Sequence, residues 1–247
     1  MTSTKETGHA KNAANFEELI NIITGLGTTY NPSKTAIKVA VVNTLLVNVK
    51  ASLAAVNTAL ANYKTAVDAR EAAFLPISKL ATRIVSALVA TDTTQQIDET
   101  AQTYERKMQG RRATPKLTKE EKQKVIDSGK TVNEVSASQM GYDNRLDNFD
   151  KLIKLLIATP LYAPNEADLK VSALNTLYAD LKTKNQAVVA AHTALTNARI
   201  ARNDLMYKPL TGMVDLAQDI KTYIKSLSGP FSQQYKQVSG LHFTHAI

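Results

Sequence analysis

An internal repeat constrains the fold of this chain more than any other feature of its sequence. When the sequence is shifted against itself by 132 residues, the segment 30–74 aligns without a gap with 162–206, and 14 of the 45 paired residues are identical. A repeat of this length indicates that one structural unit occurs twice. We therefore predict two related helical repeats, residues 15–110 and 134–247, that pack together as one structural domain.

Each repeat is predicted to hold a short helix, a Tyr-x-Pro turn and a very long helix. Residues 33–75 contain neither Gly nor Pro, so nothing in that segment favours a break. Apolar residues recur there at alternating spacings of four and three, which is typical of a helix packed lengthwise on another. We call these residues the inner seam; they are Val49, Leu53, Val56, Leu60, Tyr63 and Val67.

The apolar spacing continues across Pro76, although a proline removes one helical hydrogen bond and kinks or breaks most helices. We therefore predict a continuous helix, kinked at Pro76, from Ser33 to about Ala90, with a length of roughly 85–90 Å. In the second repeat the spacing indicates one extra residue before Pro209. We predict that a π-bulge at Tyr207–Lys208 absorbs this residue and leaves the helix continuous.

The composition agrees with an all-α chain. Nine Gly and seven Pro among 247 residues, with only 6% aromatic residues, argue against a β-sandwich or a series of βα turns. The prediction is an elongated all-α helical bundle built from an internal duplication, with two very long Pro-kinked helices and shorter flanking helices. Residues 1–14 are predicted to be a disordered N-terminal tail, and residues 111–133 a basic connector between the repeats.

No pattern typical of catalysis or of cofactor binding occurs in the sequence. It lacks HExxH, P-loop, GxGxxG and GxSxG motifs, and it lacks cysteine, which excludes disulfides and thiolate metal sites. The only close histidine pair, His242 and His245, has no carboxylate beside it in the sequence. We therefore predict a non-enzymatic protein without metal or cofactor. Without an apolar signal segment or a run of 18 apolar residues, we also predict a cytoplasmic protein with no membrane span.

Three polar residues, spaced seven apart, interrupt the apolar spacing of the second long helix. They are Asn185, His192 and Arg199, and the first repeat has Leu53, Leu60 and Val67 at the matching positions. This row can line a binding groove, or it can fix the register of the two long helices through partners such as Asp68 or Glu71. The third alternative is that the row faces solvent.

Most of the positive charge of the chain lies in one segment. Residues 104–130 hold nine basic and four acidic residues, which accounts for +5 of the net charge of +8. Eight of these basic residues are candidate phosphate contacts: Arg106, Lys107, Arg111, Arg112, Lys116, Lys119, Lys122 and Lys124. Almost no aromatic residue lies among them for base stacking, so a solvated connector is the simpler interpretation.

Two hypotheses for function follow from these patterns. The first is a non-enzymatic helical scaffold or assembly module that associates with itself or with a protein partner along its long helices. The alternative is a nucleic-acid-associated protein in which the basic segment 104–130 makes weak, non-specific phosphate contacts.

Overall fold

The computed structural model describes residues 8–111, 118–129 and 140–245. Helices account for 77% of these residues, and the described part of the chain contains no β-strand. The predicted all-α class is therefore confirmed. Within the described ranges there are nine α-helices, which we number in chain order: α1 His9–Gly25, α2 Val39–Phe74, α3 Ile77–Val89, α4 Gln95–Gln109, α5 Lys119–Asp127, α6 Tyr142–Ile157, α7 Val171–Tyr207, α8 Met213–Ser228 and α9 Gln233–Ser239.

The chain divides into two compact units that do not coincide with the predicted repeats. Unit 1 comprises Met1–Lys64 and Ala191–Ile247, and unit 2 comprises Thr65–Ala190. Each long helix contributes residues to both units, because the division falls inside α2 and inside α7. Each unit therefore contains part of the first predicted repeat and part of the second.

Each unit has its own apolar core. In unit 1 the core joins α1, the first part of α2, the end of α7, and α8; its fully buried residues include Phe16, Leu19, Ile23, Val42, Val49, Met206, Met213 and Ile220. In unit 2 it joins the end of α2, α3, α4, α6 and the first part of α7; its fully buried residues include Phe74, Ile77, Ile84, Leu88, Met108, Leu152 and Leu174. Of the predicted inner seam, Val49 and Val56 are buried in unit 1, and the other four residues are half-buried.

A tyrosine fixes the turn that precedes each long helix. The Tyr30 hydroxyl donates to the backbone oxygen of Ile37 at 2.8 Å, and the Tyr162 hydroxyl donates to that of Leu169 at 2.9 Å. Both bonds are buried, and burial raises the pKa of both hydroxyls, that of Tyr162 to about 12. In both repeats a tyrosine hydroxyl thus bonds to the backbone oxygen seven residues later and closes the same loop, which agrees with the predicted duplication.

The first long helix bends at Pro76, as predicted. α2 ends at Phe74 and α3 begins at Ile77, while Pro76 keeps helical dihedral angles, with φ −76° and ψ −12°. Its carbonyl accepts a hydrogen bond from the Leu80 N–H at 3.0 Å, so the helical path continues through the bend. The helix begins at Val39 rather than at the predicted Ser33, because the tyrosine-closed loop and a 3₁₀ turn occupy the residues between them.

The second long helix is broken before α8, so the prediction of a continuous helix with a π-bulge is wrong. Six residues separate the buried Met206 from the buried Met213, whereas two separate Phe74 from Ile77. A π-bulge absorbs only one extra residue. The extra residues instead form a loop, in which Leu210 has a left-handed φ of 66° and a side chain that is 77% exposed.

The ends of the predicted segments also differ from the structure. α1 begins at His9, so the predicted disordered tail extends too far along the chain. Residues 1–7 lie outside the described residues. In the predicted connector, α5 begins with a capping box, in which Thr118 Oγ1 accepts from the Glu121 N–H and Glu121 Oε2 accepts from the Thr118 N–H. This cap is encoded in the spacing of Thr118 and Glu121.

Candidate functional site

The first member of the predicted polar row, Asn185, is buried in unit 2 with an exposed fraction of 8%. Its Oδ1 accepts a hydrogen bond from Arg70 Nη1 at 3.1 Å, and its Nδ2 donates to Asp143 Oδ1 at 2.6 Å. The Arg70 guanidinium also lies over the Tyr142 ring, 3.9 Å from the ring centroid. Asn185 therefore joins α2 to α6 and α7 through Arg70 and Asp143, and not through the predicted Asp68 or Glu71.

His192 and Arg199, the other members of the row, belong to unit 1 and are exposed. The His192 ring makes an edge contact with the Tyr63 ring at a centroid distance of 5.6 Å. The predicted row thus does not lie within one unit. The structure places Asn185 in a bonded polar cluster and leaves the side chains of His192 and Arg199 open to solvent.

A second arginine completes the polar cluster of unit 2 and was not predicted from the sequence. Arg145 Nη2 donates to the Phe74 carbonyl at 3.1 Å, which satisfies the last backbone oxygen of α2 beside the Pro76 bend. The Phe74 and Tyr142 rings meet edge to face at 4.9 Å. Burial lowers the pKa of the Arg145 guanidinium. This cluster therefore ties α6 to the end of α2 beside the bend.

The predicted phosphate contacts differ in their burial and in their position along the chain. Arg106 and Lys107 are half-buried in the last turn of α4, where Arg106 Nη2 bonds to Thr103 Oγ1 at 2.8 Å. Arg111 is exposed directly after α4, and Arg112 and Lys116 lie outside the described residues. Residues 118–129 contain as many acidic as basic residues, three of each. This segment, whose net charge is zero, holds the remaining candidates, Lys119, Lys122 and Lys124.

The described residues contain no group of three or more His, Asp or Glu that could hold a metal ion. His245 Nε2 lies 3.8 Å from Asp215 Oδ1, and its ring lies 6.1 Å from the Tyr207 ring. The Tyr207 hydroxyl bonds to His9 Nδ1 at 2.7 Å. These side chains link the start of α1 to the residues after α9.

Two buried asparagines on α1 hold the segment that follows α9. We call this segment, Leu241–His245, the strap. Asn12 and Asn15 are 1% and 6% exposed, and their side-chain amides bond to backbone atoms of the strap. Neither residue was predicted from the sequence as part of a site. The signal that marks one of them is the repeated pair Asn-Phe, at 15–16 and at 148–149, because it sets a polar residue beside a buried aromatic residue twice.

The first part of α2 carries a second row of residues with heptad spacing, on the face away from the core. All seven residues of this outer stripe are exposed and uncharged: Ala40, Thr44, Val47, Ala51, Ala54, Thr58 and Ala61. By length and composition alone, the bent helix Val39–Val89 could also cross a membrane, a test that core helices of soluble proteins pass too. Its most apolar window has a mean hydropathy of 1.7, yet only 17% of that window is buried.

Comparison of the chain with known protein families, with curated proteins and with solved structures gives no match.

Proposed function

We propose that this protein is a non-enzymatic helical assembly module, which associates with itself or with a protein partner along its long helices. The observation that carries the proposal is the outer stripe of α2. Its residues follow the spacings four, three, four, three, four and three from Ala40 to Ala61, which is the pattern of a helix that packs on another helix. A stripe of this length covers about 31 Å of helix.

The chemistry of the stripe favours a helix as the partner. Small side chains allow two helix backbones to approach closely, and the absence of charge on the stripe removes the desolvation cost of burying it. The opposite face of this segment already packs on the core of unit 1 through residues such as Val42, Val49 and Leu53, so the stripe is a second packing face on the same helix.

The composition of the exposed side of this segment favours a protein partner over a lipid bilayer. It also carries five strongly polar residues, which are Asn43, Asn48, Lys50, Asn57 and Asn62. Each of these costs free energy in the hydrocarbon of a bilayer, whereas at the border of a helix–helix interface they remain in water. The polar side chains flank the stripe and do not interrupt it.

Two charge-matched variants test the proposal by sedimentation velocity between about 5 and 200 µM protein. The stripe variant carries Val47→Glu and Ala54→Glu, and the control carries Asn48→Glu and Asn57→Glu, which add the same charge beside the stripe. We expect the parent and the control to self-associate and the stripe variant to bind at least tenfold more weakly. A tenfold change corresponds to about 1.4 kcal/mol, less than the usual cost of burying an unpaired charge.

The same variants separate the other outcomes. For a protein partner, capture from a lysate must succeed with the parent and the control and must fail with the stripe variant. If the parent remains monomeric, captures nothing that depends on the stripe, and floats with phosphatidylcholine–phosphatidylglycerol vesicles, the stripe binds lipid and the proposal is wrong.

A further inference from the structure

The strap is held in unit 1 mainly through its backbone. Asn12 Nδ2 donates to the Thr244 oxygen at 2.7 Å, and the Thr244 N–H donates back to Asn12 Oδ1 at 3.1 Å. Asn15 Nδ2 donates to the His242 oxygen at 2.6 Å. From α8, the Lys221 ammonium donates to the Leu241 oxygen. The side chains of Asn12, Asn15 and Lys221 therefore satisfy four backbone groups of a segment that has no regular secondary structure.

The side chains of the strap alternate between the protein and the solvent. Leu241 is buried and Phe243 is half-buried beside the Lys221 ammonium, whereas the side chains of His242 and Thr244 are exposed. This alternation is typical of a bound extended peptide. Proteins that bind such peptides use main-chain hydrogen bonds for affinity and pockets for alternate side chains for specificity. We call the surface of α1 and α8 that holds the strap the groove; Asn12, Asn15 and Lys221 belong to it. It has both features, because these side chains bond to the backbone of the strap while Leu241 and Phe243 pack against the core.

The two asparagines that bond to the strap are buried, so their side-chain amides need hydrogen-bond partners within the protein. Asn12 is 1% exposed and Asn15 is 6% exposed, and a buried amide without a partner lowers stability. The Asn12 side chain bonds to the strap and also, at 3.4 Å, to the Tyr207 hydroxyl. Among the described residues, the Asn15 side chain bonds only to the strap. Without a peptide backbone in the groove, both amides would lose hydrogen-bond partners that α1 itself does not supply.

We propose that this groove also binds the strap of a second copy of the chain, so that exchange of straps joins two copies. The hydrogen bonds to the strap can form in the same way whether the strap comes from its own chain or from another, so exchange can keep them. Gly240 connects α9 to the strap, and because glycine adopts a wider range of backbone angles than other residues, it is the position at which the strap would turn towards a second copy. Because a tethered strap has an effective concentration in the millimolar range, exchange needs high protein concentration or a weakened internal contact.

A complementation experiment tests the exchange. The groove variant, Asn12→Ala with Asn15→Ala, has an impaired groove and a free strap. The strap variant, Leu241→Asp with Phe243→Asp, has a free groove and an impaired strap. Its matched control, His242→Asp with Thr244→Asp, adds the same charge at the exposed positions and keeps its own groove filled. Sedimentation velocity at about 20 µM compares each variant alone with equimolar mixtures.

We expect a complex of two chains in the mixture of groove variant and strap variant, beyond what either forms alone, and no such gain when the control replaces the strap variant. Association through the outer stripe of α2 would occur equally in every sample, so this proposal and the proposed function can fail separately. A mixture that gains no complex, with both variants as helical as the parent by circular dichroism, overturns the exchange.

A labelled peptide of residues 238–245 gives a second measurement that does not depend on the folding of the groove variant. We expect saturable binding to the strap variant by fluorescence anisotropy, and at least tenfold weaker apparent binding to the parent, whose own strap competes. If the folded strap variant does not bind the peptide at up to about 1 mM, the groove is not a peptide-binding site and the proposal is wrong.

Discussion

Replacing Gly212 with alanine tests the break between α7 and α8. Gly212 is buried, and its backbone has φ −72° and ψ 155°, which any L-residue adopts without strain. The space around it is the constraint. A Cβ at this position would lie 2.7 Å from both the nitrogen and the oxygen of Lys208, and 3.0 Å from the oxygen of Met206. All three atoms belong to the backbone and cannot rotate away.

The size of the effect follows from two opposing contributions. Forcing a methyl group into a packed site costs about 1–3 kcal/mol. Alanine also restricts the unfolded chain, which returns about 0.4–1 kcal/mol. The Gly212 N–H donates to the Lys208 oxygen at 2.7 Å, and this bond must lengthen to relieve the contact. We therefore expect Gly212→Ala to lower the free energy of unfolding by about 1–2 kcal/mol, and the melting temperature by about 2–8 °C for a chain of this length.

Thermal unfolding followed by circular dichroism measures this change, and Gly25→Ala is the matched control. Gly25 is the last residue of α1, and no atom lies within 4 Å of its missing Cβ. Alanine there should raise stability by about 0.5–1 kcal/mol, because it favours the helix. If α7 continued through the loop as a helix, Gly212→Ala would stabilise the protein in the same way. A Gly212→Ala variant at least as stable as the parent would therefore refute the broken helix.

Three further predictions concern the core, the pH dependence and the basic segment. Leu195→Ala should cost about 2–4 kcal/mol in chemical denaturation and Leu60→Ala about half as much, because Leu195 is 2% exposed and Leu60 is only half-buried; equal costs would contradict this. Burial and the nearby Arg202 lower the pKa of His9, so its contribution to stability is complete above about pH 6.5 and decreases as the pH falls through the lowered pKa; the stability of a His9→Asn variant should vary less between pH 7.5 and pH 5. Labelled oligonucleotides should bind weakly at 50 mM salt and be released at 200 mM, as anisotropy would show, and sub-micromolar binding at 200 mM that is lost in a variant with four Gln substitutions would favour the nucleic-acid hypothesis; the substituted residues are Arg111, Arg112, Lys116 and Lys119.

The sequence predicted the helices well because their signals are local. Heptad spacing without Gly or Pro defines the long helices, and the spacing of Thr118 and Glu121 defines the start of α5. The repeat added information that a single segment does not carry. It matched Tyr30 with Tyr162, and these two side chains close the same loop in the structure.

The sequence predicted the second long helix less well, because a periodic pattern does not distinguish a bulge from a loop. Leu210 fits the apolar spacing, yet its side chain is exposed and its backbone is left-handed. The position of Asn185 depends on Arg70 and on Asp143, which lies on α6 and is remote in the sequence. Spacing along one helix cannot predict such a partner.

The contacts of the strap could not be predicted from local sequence patterns for the same reason. Asn12 and Thr244 are separated by 232 positions, and an asparagine on an otherwise apolar helix face gives no indication of which backbone it binds. The repeated Asn-Phe pair shows only that a buried polar group is needed there. The partner follows from the fold.

The division of the chain into units has a consequence for the order in which they can fold during synthesis. Unit 2, Thr65–Ala190, is one continuous stretch, so it is synthesised in full before synthesis of the second stretch of unit 1, Ala191–Ile247, begins. At about 5–20 residues per second, the apolar side chains of α1 remain without the core of α8 for roughly 10–40 seconds. The apolar face of α1 is thus made before unit 2 but buried after it, and during that interval it is a surface that a chaperone can bind.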